Sequence, residues 1–170
     1  MEGDIVNSVL ELYKDSKWRD IVDRYHDHPE RNKLLWVYPS GENFQFLKQC
    51  LEDLLCTNIV SIGCGSGLLE WIMSQATGIP VSGVEVDGAW WHCKYAPPTF
   101  IPLLFTPMEI DKEIITLLSP GEGKGVHTEP RPCEEVDNWK LYKWQEVRQS
   151  RDFIAVYVRE CLRNGVMKHI

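Results

Sequence analysis

Apolar residues recur three and four positions apart at Ile5, Val9 and Leu12, so residues 4–13 are predicted to form a short amphipathic helix. The spacing continues through Trp18, Ile21, Val22 and Tyr25, which extends the helical expectation over residues 16–27. Pro29 and Pro39 limit that helix, and the middle of the stretch between them reads as a short extended piece. His26 and His28 stand two positions apart, too close to share a helix face, and are expected as exposed loop residues rather than metal ligands. Ser40 suits the N-cap of a further helix, whose apolar positions Phe44, Leu47, Leu51, Leu54 and Leu55 carry it to about Cys56 and Thr57.

The pattern then changes period. Residues 58–62 form a brief β-branched run, followed by the turn SIGCGSG and by a second apolar-periodic stretch over residues 68–77. Gly78 and Pro80 stop that helix, and residues 81–86 read as a second strand. Strand, glycine turn, helix, strand is a βαβ unit, here with an extra helix in front. Asp87 is placed to cap a short helix through Ala89, Trp90, Trp91 and Cys93. Pro97, Pro98 and Pro102 then impose irregular or edge-strand structure, in which residues 100–105 can still form a strand. Residues 109–118 group Ile110, Ile114, Leu117 and Leu118 on one side of a predicted helix, and Glu109, Asp111 and Glu113 suit its amino end. SPGEGKGVHTEPRP is a loop by composition. Residues 139–144 are a candidate strand, and in residues 152–159 both alternating sets are largely apolar, which suits the covered interior of a sheet.

These elements define an α/β fold class in a single domain over residues 1–170, with residues 1–39 as an N-terminal helical extension. A chain of 170 residues supports one core and is too short for two. The formal net charge of -7 is concentrated in the first 130 residues, so no strong nucleic-acid signal is present. The opening residues lack the basic start and apolar core of a secretory signal, and the apolar run at residues 97–107 is broken by prolines. The expectation is therefore a cytoplasmic protein, not a membrane one. Six cysteines without a CxxC pair suggest neither a disulfide framework nor a metal site, and Cys50, Cys56 and Cys161 suit small buried apolar positions.

The chemistry concentrates in the glycine turn. Gly63, Gly65 and Gly67 stand at alternate positions between a strand and a helix, where they permit a sharp bend and let a ligand approach the backbone without a Cβ clash. The following helix directs free amides and a positive dipole end into the same space. Glu85 closes the next strand and is placed to accept both hydroxyl hydrogens of a ribose. A GxGxxG fingerprint is incomplete because position 68 is Leu, and no GK[ST] follows the strand as a phosphate loop requires.

The remaining pattern, IGCGSG with an acidic residue at the next strand end, resembles the first motif of class I S-adenosylmethionine-dependent methyltransferases. That resemblance covers residues 59–87 and implies a Rossmann-like three-layer sandwich with a mostly parallel sheet, shortened relative to the seven-stranded core of the family. It further implies S-adenosylmethionine as cofactor, with Ser61, Gly63, Cys64, Gly65 and Gly67 forming the cradle and Glu85 holding the ribose. Ser61 stands where the family commonly has Asp or Glu, so a hydroxyl replaces the carboxylate that would neutralise the cofactor's ammonium. The proline pair of YAPPT is not an NPPY motif, because Ala96 occupies the polar position.

Three readings follow. The chain is a methyltransferase acting on a small-molecule or protein acceptor; or it is a catalytically silent relative that binds a protein partner, which would cover an exposed sheet edge; or it is a nucleotide-dependent oxidoreductase, disfavoured by Leu68. Trp90, Trp91, Tyr95 and residues 121–125 are candidates for an acceptor wall, with Glu122 and His127 as candidate proton acceptors and Lys124 as a contact for an anionic group. The catalytic residue itself is not identified by the pattern.

Overall fold

The computed structural model describes residues 4–35, 37–86, 88–107, 135–136, 139–147, 152–163 and 166–169. Helix α1 (Ile5–Lys14) opens with the Asp4 side chain accepting from the Val6 amide and buries the anticipated stripe of Ile5, Val9 and Leu12. It ends in a Schellman motif, with Ser16 left-handed at φ 55° and Lys17 donating to the Leu12 carbonyl at 2.9 Å. The helical pattern of residues 16–27 therefore begins anew as α2 (Trp18–Tyr25). Between the two prolines the chain forms a single 3-10 turn, Arg31–Lys33, in place of the expected extended piece.

The imidazole of His26 is also not exposed as expected. Its side chain is only 16% accessible and stacks edge-on to Tyr38, while the His28 ring packs against Tyr25. Burial pushes the Tyr38 phenol well above its ordinary titration range.

Helix α3 (Gly41–Asp53) begins in a capping box. The Ser40 hydroxyl accepts from the Asn43 backbone amide at 3.3 Å, while Asn43 Oδ1 accepts from the Ser40 backbone amide at 3.0 Å. At its other end α3 stops two residues short of Leu55. Leu55 and Cys56 donate to the Glu52 and Leu51 carbonyls, and this Schellman closure forces Leu55 to φ 55°. A residue predicted to face the core is thus 85% exposed.

The βαβ unit follows as expected: β1 (Ile59–Ile62), α4 (Leu68–Thr77) and β2 (Val81–Glu85), with β1 and β2 parallel and Ser61 opposite Gly83. A short helix, α5 (Gly88–Trp91), leads to β3 (Leu103–Phe105), which pairs parallel to β2 at the sheet edge. Among the described residues the later strands form a second, antiparallel sheet in the order β4 (Glu135–Val136), β5 (Trp139–Glu146), β6 (Phe153–Arg163) and β7 (Val166–His169). The apolar segment 152–159 does lie in a sheet interior by order, but it runs antiparallel to both neighbours and adds no strand to β1–β3. The predicted helix at 109–118 and the loop after it lie outside the described residues.

The core sits among the helices. Ile5, Val9, Leu12, Ile21, Val22, Leu35 and Tyr38 join Phe44, Leu68, Trp71, Ile72 and Phe100 in one buried cluster. Residues 1–39, expected as an extension, thus supply most of that cluster, and each fully buried aliphatic side chain is worth about 1.5–3 kcal/mol of transfer free energy. The Tyr13 ring meets Trp71 and Phe100 edge-on, and its hydroxyl donates to the Phe100 carbonyl at 2.9 Å. Among the described residues no helix is long and apolar enough to cross a membrane.

Two side chains join α3 to the second sheet. Asn43 is 1% exposed, and its amide nitrogen donates to Gln145 Oε1 at 2.7 Å and to the Glu146 carbonyl at 3.0 Å. At the far end of α3, Asp53 accepts from Lys143 and Tyr142, contacts that hold its carboxyl down at about 2. Asn43→Ala strands the Ser40 amide and the β5 carbonyl together, and is expected to cost about 2–4 kcal/mol in denaturant unfolding. Leu55→Gly removes a strained left-handed leucine from the surface and is expected to stabilise by about 0.5–1 kcal/mol in the same assay.

Candidate functional site

All three motif glycines adopt left-handed backbone, at φ 70° for Gly63, 59° for Gly65 and 78° for Gly67. Their reasons differ. Side chains on Gly63 or Gly65 would meet open space, so those two positions leave backbone accessible to a ligand. A Cβ on Gly67 would instead overlap Ile101 Cγ1. Gly83 on β2 is closed in the same way: a Cβ there would lie 2.5 Å from Cys64 Sγ and 2.8 Å from Ile101 Cδ1. Phe100 completes the join by donating its amide to the Ser66 carbonyl at 2.8 Å. The proline-rich segment after α5 is thereby fixed against the turn.

Glu85 reaches the turn directly. Its Oε1 accepts from the Gly65 amide at 2.5 Å and its Oε2 from the Val86 amide at 3.3 Å. Glu85, expected to hold a ribose, is therefore in direct contact with the turn, and its carboxylate braces the bend. Each carboxylate oxygen has a second lone pair for a further donor.

A hollow borders the turn, and Glu85 is not among the residues that line it. A cavity of about 430 Å³ is bounded by Gly63 to Ser66, Leu69 and Glu70 of α4, Lys33, Leu34, Leu35 and Val37, and Trp91 and Pro97. Within it stands Glu70, in the first turn of α4 and only 3% exposed. Ser61 donates its hydroxyl to Glu70 Oε1 at 2.6 Å, and Oε2 has no hydrogen-bond partner among the described residues. Burial is the main cause that raises the Glu70 carboxyl above its ordinary value; the Ser61 bond opposes the shift and the Glu85 charge adds to it. Burial, with Glu70 and Glu85 nearby, also pushes the Cys64 thiol up to about 12, so Cys64 is no thiolate nucleophile at neutral pH.

The sequence-selected residues thus separate by job. Gly63 and Gly65 present backbone; Cys64 lines the cavity while its sulfur packs on β2; Gly67 admits Ile101; Ser61 holds Glu70; and Glu85 holds Gly65. Of the aromatic candidates Trp91 lines the cavity, while Trp90 is 48% and Tyr95 74% exposed. Glu122, Lys124 and His127 lie outside the described residues. Glu70 escaped the motif reading because an acid in a first helical turn is accounted for by the helix dipole alone; the nine-residue spacing from Ser61 is the signal that could have found it.

A buried acid whose carboxyl is raised in the fold is most favourable when protonated. Stability from Glu70 is greatest below its ordinary value of 4.5 and falls as pH rises from there into the raised range. Unfolding of wild type and Glu70→Gln across pH 4 to 8 should show the variant gaining on wild type as pH rises; a constant difference would contradict the raised carboxyl. No family model, curated protein or solved structure matches this chain.

Proposed function

We propose that the chain binds S-adenosylmethionine at the glycine turn and transfers its methyl group to a small-molecule or protein acceptor, on a Rossmann-like unit with a shortened sheet. The observation that carries this reading is the parallel β1–α4–β2 unit, whose turn offers two unobstructed left-handed glycines beside a cavity and has the strand-end Glu85 bonded to its Gly65 amide.

The residues present fit the group. Accessible backbone at Gly63 and Gly65 suits the amino acid part and Trp91 offers an apolar wall; Glu85 stands outside the cavity wall, and its role toward the ribose rests on the lone pairs that its two amide bonds leave. When bound, the sulfonium supplies an activated methyl and leaves as a neutral thioether. The chain's task is then to hold the acceptor in line and exclude water, which requires few catalytic side chains. A catalytically silent binding protein is the second reading. It is supported by the commitment of both Glu85 oxygens to backbone amides and by apolar Val60 and Leu104, 60% and 56% exposed on the terminal strands of the parallel sheet.

Calorimetry with S-adenosylmethionine and S-adenosylhomocysteine tests the site, and heat from neither on folded protein would refute it. Glu85→Ala should weaken the binding about tenfold or more through loss of charged hydrogen bonds. Transfer of a labelled methyl group to a component of cell extract separates the enzyme from the silent relative.

A further inference from the structure

Glu70 is an expensive residue to keep where it is. A carboxylate that is 3% exposed loses most of its hydration, and here the described contacts restore one hydrogen bond, from Ser61 to Oε1. Oε2 is buried without a partner while its residue lines the cavity beside the glycine turn. A purely structural brace between β1 and α4 needs only an acceptor for the Ser61 hydroxyl, which an uncharged glutamine supplies equally well. The acid therefore carries a surplus capacity: a second, buried oxygen without a donor, on a residue that lines a space large enough for a small molecule.

The charges around that space indicate what would use it. Glu85 lies close enough to raise the Glu70 carboxyl further, so two acids flank the turn. Lys33, the basic residue of the cavity lining, is already paired with Glu30. Glu85 itself is less free than Glu70, because amides of Gly65 and Val86 occupy its two oxygens and it is not part of the cavity wall. A group that donates hydrogen bonds and brings positive charge satisfies Glu70; an anionic one meets repulsion.

We propose that Glu70 is the ammonium anchor of this cavity: its Oε2 receives the primary amine of the bound ligand while Ser61 fixes Oε1. The assignment rests on the S-adenosylmethionine reading and deepens it, since the amino acid end of that molecule carries such an amine. It also explains Ser61: the position before the turn contributes a hydroxyl that orients a carboxylate, and the carboxylate comes from the helix after the turn.

The test compares ligands with and without the amine by calorimetry on the full chain. Wild type should bind S-adenosylhomocysteine about tenfold or more tightly than 5′-methylthioadenosine or the α-N-acetylated compound. Glu70→Gln, which keeps an acceptor for Ser61, should bind S-adenosylhomocysteine about tenfold or more weakly and leave 5′-methylthioadenosine unchanged. Unchanged affinity of Glu70→Gln for S-adenosylhomocysteine overturns the anchor and leaves the cofactor reading standing. Failure of wild type to bind any of the compounds overturns both. Should Glu70→Gln not fold, the acetylated compound decides on wild type alone: equal affinity with and without the free amine overturns the anchor.

Discussion

The arrangement around the turn depends on a close approach that two absent side chains permit. Ile101 fits against Gly67 and Gly83 at separations that a Cβ on either would forbid, so one isoleucine contacts both the start of α4 and the middle of β2. Because Ile101 immediately precedes Pro102 and β3, its seating fixes where the third strand enters the sheet. The Phe100 amide bonded to Ser66, and the Tyr13 hydroxyl bonded to the Phe100 carbonyl, carry that constraint outward to α1. The glycine pattern is therefore half access and half packing: Gly63 and Gly65 leave space, and Gly67 and Gly83 give it up.

Two acids serve the turn in opposite ways. Glu85 uses its charge on backbone amides and holds the bend in shape, an arrangement in which a carboxylate is well satisfied. Glu70 is buried, half satisfied and near another negative charge, all of which disfavour its ionised form. A protein gains nothing in stability from such a group, since a neutral side chain of the same shape would do the structural part of its work. Strain of this kind, confined to one wall of a cavity, sets Glu70 apart from the satisfied polar groups of the core.

The βαβ unit was legible because its signals are local. Periodicity gave α4 its bounds, Gly78 its stop, and the alternate glycines their left-handed bend. Glu85 was legible as a strand-end acid, though not its direct contact with Gly65, since a distance across a fold is not written in spacing. The failures share a cause: each was decided by a long-range or terminal contact. Leu55 continues the apolar period of α3, yet the helix closes before it because its last carbonyls are capped by a left-handed turn. His26 looks polar and loop-borne until Tyr38 packs over it. The strands β5 and β6 could be named from composition, but their antiparallel pairing, away from the first sheet, depends on partners far along the chain.

Asn43 gives α3 a mechanical meaning that its helical pattern does not convey. Its side chain closes the helix start and simultaneously grips the end of β5, while Asp53 one helix-length away takes hold of the same strand through Lys143. Strand β5 is thus clamped at two points along a rigid rod, and that rod runs directly into β1 and the glycine turn. Among the described residues the two sheets share no strand, so these contacts from α3 tie the position of the antiparallel hairpin to that of the glycine bend.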